Sequence, residues 1–169
     1  MKQLTLLSLF ALAAFARAET TITLNGVHNC CRGCANGITK AAADFKDVTV
    51  TPAGKKVTIT TKKKSDAKKV AEAIIAAGYY GTIEGDESAA KKPATASKPE
   101  SKVAKATVSG VHLCCQKCAD AATDAVKAVA GVTKYDIVSK AESFTVEGEF
   151  AKADLVAALN SAGFAGDIK

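Results

Sequence analysis

Gly26-Val27-His28-Asn29-Cys30-Cys31-Arg32-Gly33-Cys34-Ala35 follows the β-prone run Thr21-Ile22-Thr23-Leu24 and leads into apolar residues at helical spacing, Ala35, Ile38, Ala42 and Phe45. The stretch therefore reads as a strand-to-helix turn. It recurs 84 residues later as Gly110-Val111-His112-Leu113-Cys114-Cys115-Gln116-Lys117-Cys118-Ala119, behind Ala104 to Val108 and ahead of Ala122, Val126 and Val129. All six cysteines and both histidines of the chain lie inside these two stretches. Core cysteines would be scattered along apolar stripes, whereas thiols crowded beside an imidazole suit a metal site or a redox site.

Outward from the motif the two halves stay parallel. Val48-Thr49-Val50 and Val57-Thr58-Ile59 alternate apolar and polar residues around the turn-prone Pro52-Ala53-Gly54-Lys55, as do Tyr135-Asp136-Ile137 and Phe144-Thr145-Val146 around Ser139 to Glu142. Each pair predicts a β-hairpin with one buried face. A second helix follows in each copy. Ser65 or Asp66 is placed to cap the run carrying Val70, Ile74 and Ile75, and Lys152 to Ala162 carries Leu155, Val156 and Leu159. Both runs stop at a glycine, Gly78 and Gly163, and short strands at Tyr79 to Ile83 and Phe164 to Ile168 close the copies. The order β-α-β-β-α-β, twice, predicts an α+β protein of two ferredoxin-like domains.

The expected boundaries are a signal peptide at 1–18, a first domain at 19–84, a linker at 85–103 and a second domain at 104–169. Met1-Lys2, the apolar run from Leu4 to Phe15 and the small residues around Ala16-Arg17-Ala18 have the layout of a secretory leader. That run is too short for a permanent membrane anchor, which leaves a periplasmic or secreted protein with no stable membrane insertion after cleavage. The segment Glu84 to Lys102, rich in Ala, Lys, Ser and Glu and holding Pro93 and Pro99, predicts a flexible tether. Its root-mean-square span is on the order of 25 Å, long enough for the two motifs to meet.

The chain carries 23 basic and 17 acidic residues. Loss of Lys2 and Arg17 with the leader lowers the formal charge from +6 to +4. With short lysine clusters, no tryptophan and few aromatic residues to stack on bases, nucleic-acid binding is not expected. No His or Cys outside the two motifs offers a base or nucleophile, and no glycine-rich loop would cradle phosphate, so an enzyme is not expected either.

In each motif the pair Cys31/Cys34 or Cys115/Cys118 has the two-residue gap that brings two sulfurs together across a turn. A helix N-terminus there supplies free amides and a partial positive charge, which stabilise thiolates. Soft thiolates suit Cu(I) and other thiophilic ions. Two sulfurs allow linear coordination, and Cys30 with His28, or Cys114 with His112, are the candidate third donors.

The element order, the Cys-x-x-Cys at the first strand-to-helix turn, the following Ala35 or Ala119, and the closing Ala76-Ala77-Gly78-Tyr79 or Ser161-Ala162-Gly163-Phe164 resemble the heavy-metal-associated domain family. The similarity covers roughly residues 20 to 84 and 104 to 169. It implies Cu(I) or related soft-metal binding, with zinc or mercury as alternative ions, by Cys31 and Cys34 and by Cys115 and Cys118. It also implies transfer by ligand exchange with a metal transporter or chaperone. The family usually places a methionine where this chain has Asn29 and Leu113. The added His-x-Cys suits either a Cys/His site that prefers zinc or a tighter Cu(I) site. The competing readings are a thiol-disulfide redox protein, which would use the same Cys-x-x-Cys geometry, and interaction domains stiffened by disulfides.

Overall fold

A computed structural model describes residues 19–85 and 102–169. The expected leader, and the linker apart from its ends, lie outside the described residues. The first module runs β1 (Thr20–Asn25), α1 (Arg32–Ala41), β2 (Val48–Ala53), β3 (Lys56–Thr61), α2 (Lys64–Ala76) and β4 (Thr82–Ile83). The second runs β5 (Val103–Ser109), α3 (Gln116–Lys127), β6 (Val132–Tyr135), β7 (Ser143–Phe150), α4 (Lys152–Ser161) and β8 (Asp167–Ile168).

The two antiparallel sheets have the equivalent orders β2-β3-β1-β4 and β6-β7-β5-β8. Side chains alternate across a strand, so Ile22 and Leu24 on β1 and Val57 and Ile59 on β3 point to one face and are buried there. Ile38 of α1 and Ala67, Val70, Ala71 and Ile74 of α2 cover that face. The second module repeats the arrangement with Val108, Phe144, Val146 and Phe150 under Ala122, Val126, Leu155 and Leu159. Burying each such aliphatic side chain contributes about 1.5–3 kcal/mol before entropy is counted. This is the α+β, twice-repeated ferredoxin-like fold that the periodicities predict.

In the first hairpin Ala53 pairs with Lys56 across a two-residue turn, with Gly54 in the left-handed region at φ 55°. The second hairpin departs from expectation. Its first strand ends at Tyr135, short of Ile137, because the Asp136 carboxylate itself takes the Thr145 amide and terminates the ladder. A register shift between Val132 and Lys134, opposite Gly148, places the pairing earlier in sequence than the Tyr135-Asp136-Ile137 reading.

The caps differ too. α2 begins at Lys64, so the N-cap is Lys63, and Ser65 bonds to the Asp66 carboxylate instead of capping the backbone. Asp66 in the first turn still complements the helix dipole. The glycine stops are as expected, with Gly78 at φ 92° and Gly163 at φ 85°.

The closing strands are shorter than Tyr79 to Ile83 and Phe164 to Ile168 because their first residues pair elsewhere. Tyr79 and Phe164 form an antiparallel bridge with each other, joining the modules. The Gly163 carbonyl accepts from the amides of Tyr80 (3.0 Å) and His28 (3.2 Å), and the Gly78 carbonyl accepts from the Ala165 amide (3.0 Å). A Cβ on Gly78 would stand 2.5 Å from the Gly110 carbonyl oxygen, and one on Gly163 would run into the Gly26 carbonyl oxygen and the His28 amide. The two glycines therefore end their helices and also let the other module's motif loop approach.

Candidate metal centre

Each motif is held by the same local device. Cys31 and Cys115 are the N-cap residues of α1 and α3, with extended backbone at φ −157° and −152°. Cys34 and Cys118 sit three residues into those helices and are fully buried, whereas Cys30 and Cys114 precede the caps and are partly buried. Because an extended residue and its neighbour project to opposite sides, Cys30 and Cys114 do not simply duplicate the reach of Cys31 and Cys115. They are turned toward the other module.

Docking of the two loops brings all six sulfurs into one group. Within the modules, Cys31 to Cys34 and Cys30 to Cys34 are each 3.8 Å apart, Cys115 to Cys118 is 3.7 Å and Cys114 to Cys118 is 3.6 Å. Between the modules, Cys34 lies 3.5 Å from Cys114 and 3.6 Å from Cys118. Cys30 lies 3.6 Å from Cys118 and 3.8 Å from Cys115, and Cys31 lies 3.7 Å from Cys114 and 3.9 Å from Cys115. All six thiols are free. Sequence reasoning sought the third donor for Cys31/Cys34 within the same loop. The structure places Cys114 of the other module there.

The two histidines flank the group. His28 stacks on Phe164 with ring centroids 4.3 Å apart, and His112 lies 4.5 Å from the ring of Tyr79. Each imidazole thus packs on the aromatic residue that follows the C-cap glycine of the opposite helical hairpin. Burial lowers both histidine pKa values, and both Nε2 atoms are buried with no hydrogen-bond partner. A neutral imidazole with an unpartnered nitrogen is what a soft or borderline metal accepts. A ring nitrogen of His28 falls within 4.8 Å of the sulfurs of Cys30, Cys34 and Cys118, and among the described residues no equivalent grouping involves His112. Tyr79 and Phe164, at about 1% exposure each, are core residues that also orient the histidines.

The thiols are electrostatically unequal. The amide of Cys34, and more weakly that of Gly33, holds the Cys31 thiol down at about 6. The Cys118 amide likewise lowers Cys115. These are the helix N-terminus effects that the motif predicts. Burial, reinforced by neighbouring thiols, pushes Cys30, Cys114 and Cys118 well above the ordinary cysteine value. The cluster therefore presents a thiol of lowered pKa at each helix start, Cys31 and Cys115, beside Cys30, Cys114 and Cys118, whose ionisation burial opposes.

Paired ferredoxin-like modules whose cysteines converge at the first strand-to-helix turns assemble a set of soft ligands of the kind that thiophilic metals accept. Residues 105–165 match the model of the heavy-metal-associated domain, and residues 20–83 repeat that module's element order and its Gly-Val-His-x-Cys-Cys-x-x-Cys turn. A solved structure similar to the chain is the solution structure of the N-terminal soluble domains of Bacillus subtilis CopA. It is 16% identical with a TM-score of 0.33, over 90% of this chain and 95% of that one. No match was found among curated protein sequences.

Proposed function

We propose that the protein is an exported, non-catalytic carrier or store of a soft metal ion, most simply Cu(I), bound by thiolates of Cys31, Cys34, Cys115 and Cys118 with Cys30 and Cys114 as further sulfur donors. The observation that carries this reading is the convergence of six free thiols at 3.5–3.9 Å on two helix N-termini. A group of that composition is costly to leave as thiolates and is matched by monovalent, thiophilic copper. His28 is the nitrogen donor best placed to supplement it. His112 supports it through packing on Tyr79. Zinc is the alternative ion because it accepts mixed Cys/His sets, and mercury because it accepts two thiolates.

Export rests on the leader-like residues 1–18. Among the described residues no helix is long and apolar enough to cross a membrane. In an oxidising compartment bound metal would protect the thiols from disulfide formation. Release then calls for a transporter or chaperone that offers competing thiolates, so that the ion passes by ligand exchange.

The test is anaerobic titration of the reduced chain with Cu(I) against a strong chelator. Retained copper that disappears when Cys31, Cys34, Cys115 and Cys118 are all changed to Ser supports the reading, and undiminished copper in that variant refutes it. A second reading, thiol-disulfide exchange, is favoured by the low Cys31 value, since an attacking thiol works best near ambient pH. Insulin reduction well above that of a free dithiol would move the assignment there.

A further inference from the structure

Pairwise sulfur distances carry more information than the presence of six thiols. Four of the close sulfur triads are Cys30–Cys31–Cys115, Cys31–Cys34–Cys114, Cys30–Cys34–Cys118 and Cys114–Cys115–Cys118, with the sulfurs of each within 4.8 Å of one another; the intervening triads Cys30–Cys115–Cys118 and Cys34–Cys114–Cys118 close as tightly, at 3.5–3.8 Å. Every cysteine occurs in two of the first four, and any two of those four share a single sulfur. Three pairs, Cys30/Cys114, Cys31/Cys118 and Cys34/Cys115, occur together in none. That is the connectivity of an octahedron of sulfurs, with those three pairs as opposite corners and the four triads as alternate faces.

We propose that the two modules together hold one four-copper(I), six-thiolate cluster, with an ion on each of these triads and each cysteine bridging two ions. The proposal rests on the copper-binding reading above and adds nuclearity, sharing between modules and a bridging role for Cys30 and Cys114.

Distances decide between this arrangement and its competitors. An ion at the centre of a sulfur triangle lies at the edge length divided by √3. Edges of 3.8, 3.7 and 3.5 Å around Cys31–Cys34–Cys114, or 3.8, 3.6 and 3.6 Å around Cys30–Cys34–Cys118, place it about 2.1 Å from each sulfur, close to the ~2.3 Å of a metal–thiolate bond. A single ion at the centre of the octahedron would stand about 2.6 Å from every sulfur, too far for a bond of that ~2.3 Å length. The competing arrangement, two separate trigonal sites on Cys31–Cys34–Cys114 and Cys30–Cys115–Cys118, would leave the two sets about as close to each other as their own members are, with Cys34 3.6 Å from Cys118, Cys30 3.8 Å from Cys34 and Cys31 3.9 Å from Cys115. Sulfurs with neighbours that close on both sides are placed to bridge.

Ion chemistry points the same way. Trigonal Cu(I) is satisfied by three thiolates, whereas structural zinc takes four ligands. Among the described residues His28 could complete a fourth bond at one triad, leaving the other three without a comparable donor. Assembly follows 4 Cu⁺ + 6 RSH → [Cu₄(SR)₆]²⁻ + 6 H⁺, with fewer protons released where a thiol is already ionised. The residual −2 charge faces the N-termini of α1 and α3, each carrying roughly half a positive charge. Every sulfur is bridging, so the filled cluster ties the modules together.

The full chain, reduced and anaerobic, should be titrated with Cu(I) and followed by native mass spectrometry and copper X-ray absorption. At substoichiometric copper the expected populations are the metal-free protein and a four-copper species, with little of one to three, accompanied by a short Cu–Cu vector. A Cys30→Ser/Cys114→Ser variant keeps both Cys-x-x-Cys pairs, and its capacity should fall from four ions to two with loss of the all-or-none filling. Stepwise filling that stops at two without a Cu–Cu vector, or a variant that still takes four, overturns the cluster and leaves copper binding standing. Failure to retain any copper overturns the copper reading itself.

Discussion

Cys34 and Cys114 stand 80 residues apart in the chain and 3.5 Å apart at their sulfurs. Cys34 is fully buried at the start of α1 and belongs to two of the sulfur triads, one with Cys31 and Cys114 and one with Cys30 and Cys118. Cys34→Ser should therefore weaken Cu(I) retention across the whole centre and not in its own module alone. A loss of at least about tenfold is expected, since even residues that only support metal ligands cost that much. Competition with a Cu(I) chelator measures it. A variant with half of the copper lost and the remainder held as tightly as before would show that the modules bind separately.

Reactivity of the metal-free thiols should be ordered by their position on the helices. Cys31, held at about 6 by the Cys34 and Gly33 amides, is a thiolate above that pH and a thiol below it. Its folded value is depressed, so alkylation should rise through a midpoint near pH 6 and be essentially complete in rate by pH 7. Cys30 and Cys114 are raised by burial and should react slowly throughout the neutral range. Peptide mapping after brief iodoacetamide treatment from pH 5 to pH 8 reads this directly. Equal labelling of Cys30 and Cys31 at pH 7 would contradict it.

The module fold was legible because its signals are local. Alternation at Ile22, Leu24, Val57 and Ile59 and helical spacing through Ile38 and Val70 each need only a few neighbouring residues. The cap at Lys63 and the early end of β6 were not, because Ser65 and Asp136 spend their polar atoms on partners that spacing does not specify. All six cysteines and both histidines stood out as candidate donors, but their grouping was hidden. A tether of about 20 residues permits the loops to meet, and nothing in either copy read alone says that Gly78 and Gly163 open the space for it. The repetition of Gly-aromatic after each second helix is the one sequence feature that bears on docking. Its local reading, a helix stop followed by a core residue, was sufficient by itself.

Those glycines give a test of docking. Gly78→Ala and Gly163→Ala each impose a left-handed φ on a residue with a Cβ, costing about 1 kcal/mol, and each also drives that Cβ into the opposite loop's backbone. Gly54→Ala carries only the first penalty, since nothing lies within 4 Å of its Cβ position. Small-angle scattering should show the two docking variants expanded relative to wild type, with Gly54→Ala compact. Each module should keep its helical circular dichroism. Equal compactness of all three variants would mean that the loops do not need this approach.

Gly37 lies in the middle of α1, where Ala is ordinarily the better residue by about 1 kcal/mol. Here a Cβ would overlap the Tyr79 hydroxyl and stand 3.2 Å from the His112 Cε1. Gly37→Ala should therefore destabilise the protein despite its helix propensity, by displacing Tyr79 from the imidazole that it packs against. The Tyr79 hydroxyl is buried without a partner, so Tyr79→Phe removes an unsatisfied polar group and should be neutral or stabilising by up to about 1 kcal/mol. In the double variant the added methyl gains room where the oxygen was. The two changes should then be non-additive, with Tyr79→Phe recovering at least half of the Gly37→Ala loss in a urea-denaturation cycle. Strict additivity would mean that the hydroxyl does not occupy the space beside Gly37, and that alanine is disfavoured at this position by His112 alone.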